Sequence, residues 1–232
     1  MVKLSLNDSL TLRVACDGES SSGKSTAGKL ISKKYKLFCM NSGLLFRYAS
    51  RLIIKHKPKK IISFLRKKFK NLNYKHITHL NLHSQEISNH VVFLAKQKKV
   101  RQIIRIFQKK IIKQHRQICC EGRDQASTIL RKSPRYDVAF YFKCNLNAAS
   151  LRRWRDLKKK IPLKEVKKSL RIRTLLDKKR RHNPLKKVAD AVLIRTDILN
   201  KKAMVAKMSK EIDKKLFLKY GRNFKARKKQ IS

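Results

Sequence analysis

Short apolar runs recur along this chain at residues 10–16, 37–40, 118–120, 138–142 and 192–194. Runs this brief, closed by Gly, Asn or charged residues, read as strands buried on both faces. Between them the apolar positions shift to helical spacing, over 25–35, 44–56, 147 to about 160, 164–179 and 200–217. Leu44, Leu45, Tyr48 and Leu52 show it well, because they share one helical face. The first 56 residues thus read strand, loop, helix, strand, helix, which predicts an α/β fold with a parallel sheet. Residues 57–82 resist this reading: 61–69 are apolar and basic together, and His and Asn are scattered through 72–82. Ser84 can cap a helix that opens with Gln85 and Glu86. From 87 to 114 the pattern is helical, as one helix or as two meeting near Lys98. The basic stretch from Gly221 to Ser232 reads as a frayed tail. No internal repeat is visible.

Composition narrows the class. A chain of 232 residues fits one domain, or one core domain with small inserts. Its hydrophobic share of 41% supplies a core, and 6 Gly with 4 Pro exclude a low-complexity chain. The charge is extreme: 62 Lys and Arg against 14 Asp and Glu, a formal +48. Two readings follow. The protein binds nucleic acid or an anionic membrane, or a composition bias has loaded its surface with lysine. The basic residues are spread along the whole chain, which favours the second. Under either reading the protein attracts anionic substrates and sticks nonspecifically to polyanions. Cys16, Cys39, Cys119, Cys120 and Cys144 form no CxxC pair and sit in or beside the apolar runs. Their odd number argues for reduced thiols in a reducing compartment. No apolar stretch is long enough for a signal peptide or a membrane span, so the expected location is the cytoplasm, with no membrane partner.

Four motifs carry chemistry. Gly18-Glu19-Ser20-Ser21-Ser22-Gly23-Lys24-Ser25 matches G-x-x-x-x-G-K-[ST] in full, after a strand and before a helix. Its glycines let successive N–H groups turn inward on phosphate oxygens, and the following helix aims its N-terminus at the same place. Lys24 would reach the β- and γ-phosphates of ATP, and the Ser25 hydroxyl would bind magnesium. The second motif, Asn41-Ser42-Gly43 with Phe46-Arg47, closes the second strand, where sheets of this kind bind ligands. Arg47 there is either a two-pronged phosphate grip or one more surface cation. The third is Glu121-Gly122-Arg123-Asp124 after the third strand. An acid at that strand end suits water-mediated magnesium positioning, and Asp124 reads as a substrate contact or as a helix cap. The fourth is Arg173, Asp177 and Arg180, whose spacing of four and three puts them on one helical face. A surface ion pair has the same spacing.

In order, these motifs resemble the bacterial cytidylate kinase family across about 200 residues. Cys16 to Thr26 looks like that family's IDGPxGxGKxT loop, and Asn41 to Arg47 is similar to its DSGAxYR. Gln85-Glu86 to Asn89 and then Val100-Arg101 follow its QEVxxxxSxxAxxxxVR stretch. Glu121 to Asp124 looks like DGRD, Arg152-Arg153 sits where RAxRR lies, and Arg173 to Arg180 matches RDxxDxxR. Pro184-Leu185 and Ala189-Asp190-Ala191 match PLxxAxDA. The resemblance implies a P-loop α/β/α fold with a five-stranded parallel sheet, a small nucleotide-binding insert and a lid. Expected boundaries are a core at about 1–47, 97–149 and 184–232, an insert at 48–96 and a lid at 150–183. It also implies ATP on Gly18 through Thr26 with Arg152. CMP or dCMP would be held by Arg47, Arg101 and Arg123, with Ser42, Asp124, Asp177 and Arg180 nearby. Lys24, Arg123, Arg173 and Arg180 would be catalytic. Magnesium would sit on Ser25, with Glu121 acting through water. The expected protein is a monomer.

The chain departs from the family pattern in places. Asn41 replaces Asp, Phe46 replaces Tyr, Thr174 replaces a lid Asp, Glu121 replaces Asp, and Glu19 replaces Pro. His83 stands for Arg and Val92 for a cytosine-contacting Ser. Phosphate-gripping positions are kept better than base-reading ones. Alternatives are therefore a kinase for UMP, AMP or a small metabolite, or a basic RNA-binding protein built on a decayed kinase fold.

Overall fold

The computed structural model describes residues 10–132 and 134–221. The tail expected after Gly221 lies outside them. The chain divides into two compact units, Met1–Met40 with His115–Ser232, and Asn41–Gln114.

The first unit holds a five-stranded parallel sheet. Its strands are β1 (Leu12–Gly18), β2 (Phe38–Asn41), β3 (Gln117–Gly122), β4 (Val138–Lys143) and β5 (Val192–Arg195), in the order β2-β3-β1-β4-β5. β1 lies centrally, in parallel register with β3 (Asp17 opposite Gly122) and with β4 (Gly18 opposite Phe142). It is buried on both faces, which is why its sequence is a nearly unbroken apolar run. Helices α1 (Lys24–Tyr35) and α9 (Lys201–Tyr220) pack on the sheet through Ala27, Ile31, Met204, Met208 and Ile212. Tyr35 is fully buried, yet its hydroxyl reaches Asp213 at 2.7 Å, so the aromatic ring is sequestered at no cost in lost hydrogen bonds. Helices α7 (Leu146–Asp156) and α8 (Leu163–Lys179) form a smaller cluster around Ala149, Val166 and Leu170. The helix expected to reach about residue 160 ends at Asp156, because Lys158 and Lys159 both adopt positive φ, 53° and 58°. The chain there must turn before Pro162 can start α8.

The second unit is helical: α2 (Ser42–His56), α3 (Ile61–Lys70), α4 (Tyr74–Thr78), α5 (Gln85–Leu94) and α6 (Lys98–Gln114). Ser84 caps α5 as expected, its hydroxyl accepting from the Ile87 N–H at 3.2 Å. The break between α5 and α6 falls at residues 95–97. The unreadable stretch is α3 and α4. On α3 the buried residues Leu65 and Phe69 lie one turn apart, and the cations between them are exposed. Phe69 meets Phe107 of α6 edge-on at 5.7 Å, a contact that no local pattern announces.

Candidate functional site

Strand ends at the carboxyl edge of the sheet carry the first unit's chemistry. β1 delivers the phosphate loop. A Cβ on Gly18 would strike the backbone of Phe142, so only glycine lets β1 and β4 close up here. Ser21 (φ 54°) and Gly23 (φ 77°) turn the loop through left-handed backbone. Ser22 Oγ and Lys24 Nζ both donate to the Glu19 carbonyl, each at 2.8 Å. Ser25 and Thr26 are exposed in the first turn of α1, which has no acidic residue and no side-chain cap. Its N-terminal amides are thus left for an anion.

Lys24 is buried. Burial is the main force that lowers its pKa to about 7, helped by repulsion from Arg123 and Arg173 and opposed by Glu121 and Asp177. Such crowding of cations is relieved by a polyphosphate, whose charge would return Lys24 to its protonated form.

β3 ends in Glu121 and Gly122, with Arg123 and Asp124 just beyond. Arg123 is a bridge. Its Nε donates to Asp177 Oδ2 at 3.0 Å and its Nη2 to Ser20 Oγ at 3.1 Å, so one guanidinium joins the phosphate loop to α8. Arg180 adds Asp177 at 3.4 Å and Asp124 at 3.9 Å. Burial alone would raise the Asp177 pKa, but Arg123, Arg173 and Arg180 outweigh it and hold the carboxyl below its usual range. Arg173, Asp177 and Arg180 do not share a helical face. α8 stops at Lys179, and Arg180 takes an extended conformation with ψ 139°. The Leu185 N–H bonds back to the Asp177 carbonyl at 2.8 Å, and Arg180 Nε donates to the Asn183 carbonyl at 2.6 Å. The return of the chain, not the helix, aims Arg180.

Arg152 on α7 donates to Thr196 through Nη1 to the hydroxyl (3.0 Å) and Nη2 to the carbonyl (2.6 Å). Thr196 in turn donates to the Ser22 carbonyl at 3.1 Å. Arg152 therefore props the phosphate loop through Thr196, a residue that sequence reasoning passed over. Its signal was its place, just past the end of β5. Asp17 was passed over too. It is 2% exposed and accepts from the backbone N–H groups of Gln125 and Ala126, both at 2.8 Å.

In the second unit Ser42 is buried at the start of α2, behind the cap Asn41, whose side chain accepts from the Leu44 N–H at 3.2 Å. Arg47 donates to the Leu82 carbonyl (2.9 Å) and to Ser88 Oγ (3.0 Å). Arg101 is buried, lies over the Phe46 ring at 5.5 Å and donates to the Ala95 carbonyl at 3.2 Å. The same arginine thus stitches the break between α5 and α6.

The donors offered to a metal are oxygens, the exposed Ser25 hydroxyl and the buried Glu121 carboxylate. That set fits magnesium, which takes few protein ligands and completes its shell with phosphates and water. Among the described residues no group of three or more His, Cys, Asp or Glu gathers to hold a metal by itself. No helix among them is long and apolar enough to cross a membrane.

A family model for cytidylate kinase matches residues 14–214. A cytidylate kinase of Phytoplasma mali is 30% identical over 207 residues, covering 81% of this chain and 88% of that protein. A cytidylate kinase of Mesomycoplasma hyopneumoniae is 26% identical over 221 residues, with 88% and 95% covered. Among solved structures, TT1252 from Thermus thermophilus aligns with a TM-score of 0.50 at 12% identity, over 89% of this chain and 98% of that one, a likeness of fold.

Proposed function

The chain belongs to the cytidylate kinase family, nucleoside monophosphate kinases that are similar over most of its length, and on that premise we propose that it transfers the γ-phosphoryl group of ATP to CMP or dCMP. The observation that carries this reading furthest is Arg123, bonded at once to Ser20 of the phosphate loop and to Asp177 of α8. A cation fixed from two sides suits a reaction in which alignment and charge neutralisation do nearly all the work.

ATP lies on residues 18–26, with Lys24 on its β- and γ-phosphates and Arg152 supporting the loop. Arg47, Arg101 and Arg123 grip the acceptor's phosphate, and Ser42 and Asp124 face its nucleoside. An acceptor phosphate oxygen attacks the γ-phosphorus. The bond from that phosphorus to the β-phosphate oxygen breaks, and ADP leaves. Lys24, Arg123, Arg173 and Arg180 stabilise the charge that spreads over the equatorial oxygens. Magnesium, held by Ser25 and through water by Glu121, would neutralise phosphate charge. Residues 150–183 act as a lid that excludes water, which would compete as acceptor. Residues 48–96 form the nucleotide-binding insert. The protein works as a cytoplasmic monomer.

A second reading keeps the kinase and widens the acceptor to UMP or AMP. It is favoured by what stands at the base-reading positions. Asn41 is occupied as a helix cap, Phe46 lies under Arg101, and Val92 has no hydrogen-bonding side chain. ADP release from magnesium-ATP with CMP, dCMP, UMP or AMP separates the two. CMP or dCMP is expected to turn over at least tenfold faster than the others. Equal rates favour the wider reading, and no release with any acceptor contradicts both.

A further inference from the structure

The mechanism leaves Asp17 unused, although it lies one residue before the phosphate loop. Its carboxylate is buried, and each oxygen takes one backbone N–H: Oδ1 from Gln125 and Oδ2 from Ala126. Those two residues open the five-residue π-helical turn Gln125–Ile129, which follows directly on Arg123 and Asp124. In the sheet register Asp17 sits opposite Gly122, the residue before Arg123. One carboxylate therefore ties the strand that ends in the phosphate loop to the turn that presents Arg123 and Asp124. The Gln125 side chain does not share the task. It is fully buried, and its amide nitrogen and oxygen have no hydrogen-bond partner among the described residues.

Stability alone does not explain a carboxylate here. Burial, with Asp124 beside it, pushes the Asp17 pKa up to about 7, against the pull of the two N–H groups and Arg123. Between the usual carboxylate range and pH 7 the folded state holds this proton more tightly than the unfolded chain. Its contribution to stability is therefore lost as pH rises through that window. An ionised Asp17 costs the fold something at neutral pH, and such expensive buried charges concentrate at functional sites.

We propose that Asp17 is a positioning residue for phosphoryl transfer: its carboxylate holds the Arg123–Asp124 turn against the strand that carries the phosphate loop. This rests on the kinase reading above. If the turn slides, Arg123 loses its aim at Ser20 and Asp177, and Asp124 loses Arg180. A displacement near 1 Å at such a site costs about a hundredfold in rate.

Asp17→Asn keeps the shape and one acceptor but turns an N–H donor toward one backbone N–H. The expected result is a fall in kcat of about a hundredfold, with the KM for ATP within twofold of wild type. Gly122→Ala is the second variant. A Cβ there meets the Gln125 amide group, so it shifts the same turn while Asp17 stays intact, and the same split is expected. Amide hydrogen exchange on the ligand-free proteins reads the clamp whatever the acceptor is. Faster exchange confined to residues 123–130 in Asp17→Asn supports the proposal. Exchange at the wild-type rate in that turn, or wild-type kcat in both variants, overturns it. A wild-type enzyme that phosphorylates no mononucleotide counts against the kinase reading instead, and the exchange result still decides the clamp.

Discussion

Arg123 and Arg180 rest on carboxylates, whereas Arg47 and Arg101 rest on backbone carbonyls and a serine hydroxyl. The two ways of holding a guanidinium have different consequences. A carboxylate partner fixes direction and takes up part of the charge, so Arg123, Asp177, Arg180 and Asp124 act as one unit. A carbonyl or a hydroxyl fixes direction through a neutral acceptor. Sequence supports the contrast, because Glu86, exposed on α5, is the one acidic residue in 41–114. On the function proposed above, the first region meets the charge that develops during reaction, and the second the phosphate of the acceptor.

The strongest way to break this comparison is at Lys24, which only the first region has. Lys24→Ala should lower turnover by roughly a thousandfold or more, as loss of a main charge-stabilising donor does. The fold should survive, since a buried ammonium with a depressed pKa is removed. Next comes Asp177→Ala, which leaves Arg123 and Arg180 facing each other across a lost carboxylate. Unfolding stability should drop by about 1–3 kcal/mol, read by urea denaturation, and kcat should fall with it. A stable variant with a lower kcat would show that the carboxylate serves chemistry alone.

A subtler sign separates the regions by pH. With Lys24 at about 7 in the free protein, the unfolded chain binds more protons between pH 7 and the usual lysine range, so stability from this group grows as pH rises there. ATP should reverse this by drawing a proton onto Lys24. Titration calorimetry at pH 8 in two buffers of different ionisation heat should show uptake of about one proton. Equal heats in both buffers would mean Lys24 is already charged. The smallest effect belongs to Lys178, which bonds Glu19 at 2.7 Å but is largely exposed. Lys178→Ala should cost less than about 1 kcal/mol in thermal or urea unfolding.

Much of the first region was legible because its signals are local. Unbroken apolar runs mark buried strands, and the glycines and lysine of 18–25 keep fixed spacing. What was not legible depends on distant partners. Asp17 looks like part of a loop motif until Gln125 and Ala126, more than a hundred residues on, donate to it. Arg180 looks helical until Leu185 bonds back to Asp177. In the second unit, α3 hides because its two buried residues, Leu65 and Phe69, sit among exposed cations whose stems tolerate any position. Arg47 could not be told from a surface cation until Leu82 and Ser88 held it.

The division of labour between the two regions is tested most directly by two-substrate initial-rate kinetics on Arg47→Ala beside Arg123→Ala, with CMP varied at saturating magnesium-ATP. The expected result is a rise of about 10–100-fold in the CMP KM of Arg47→Ala, the loss of one charged hydrogen-bonding partner, with kcat nearly unchanged. Arg123→Ala should instead lose kcat. The same fall in kcat in both variants, with the CMP KM unmoved, would contradict the account.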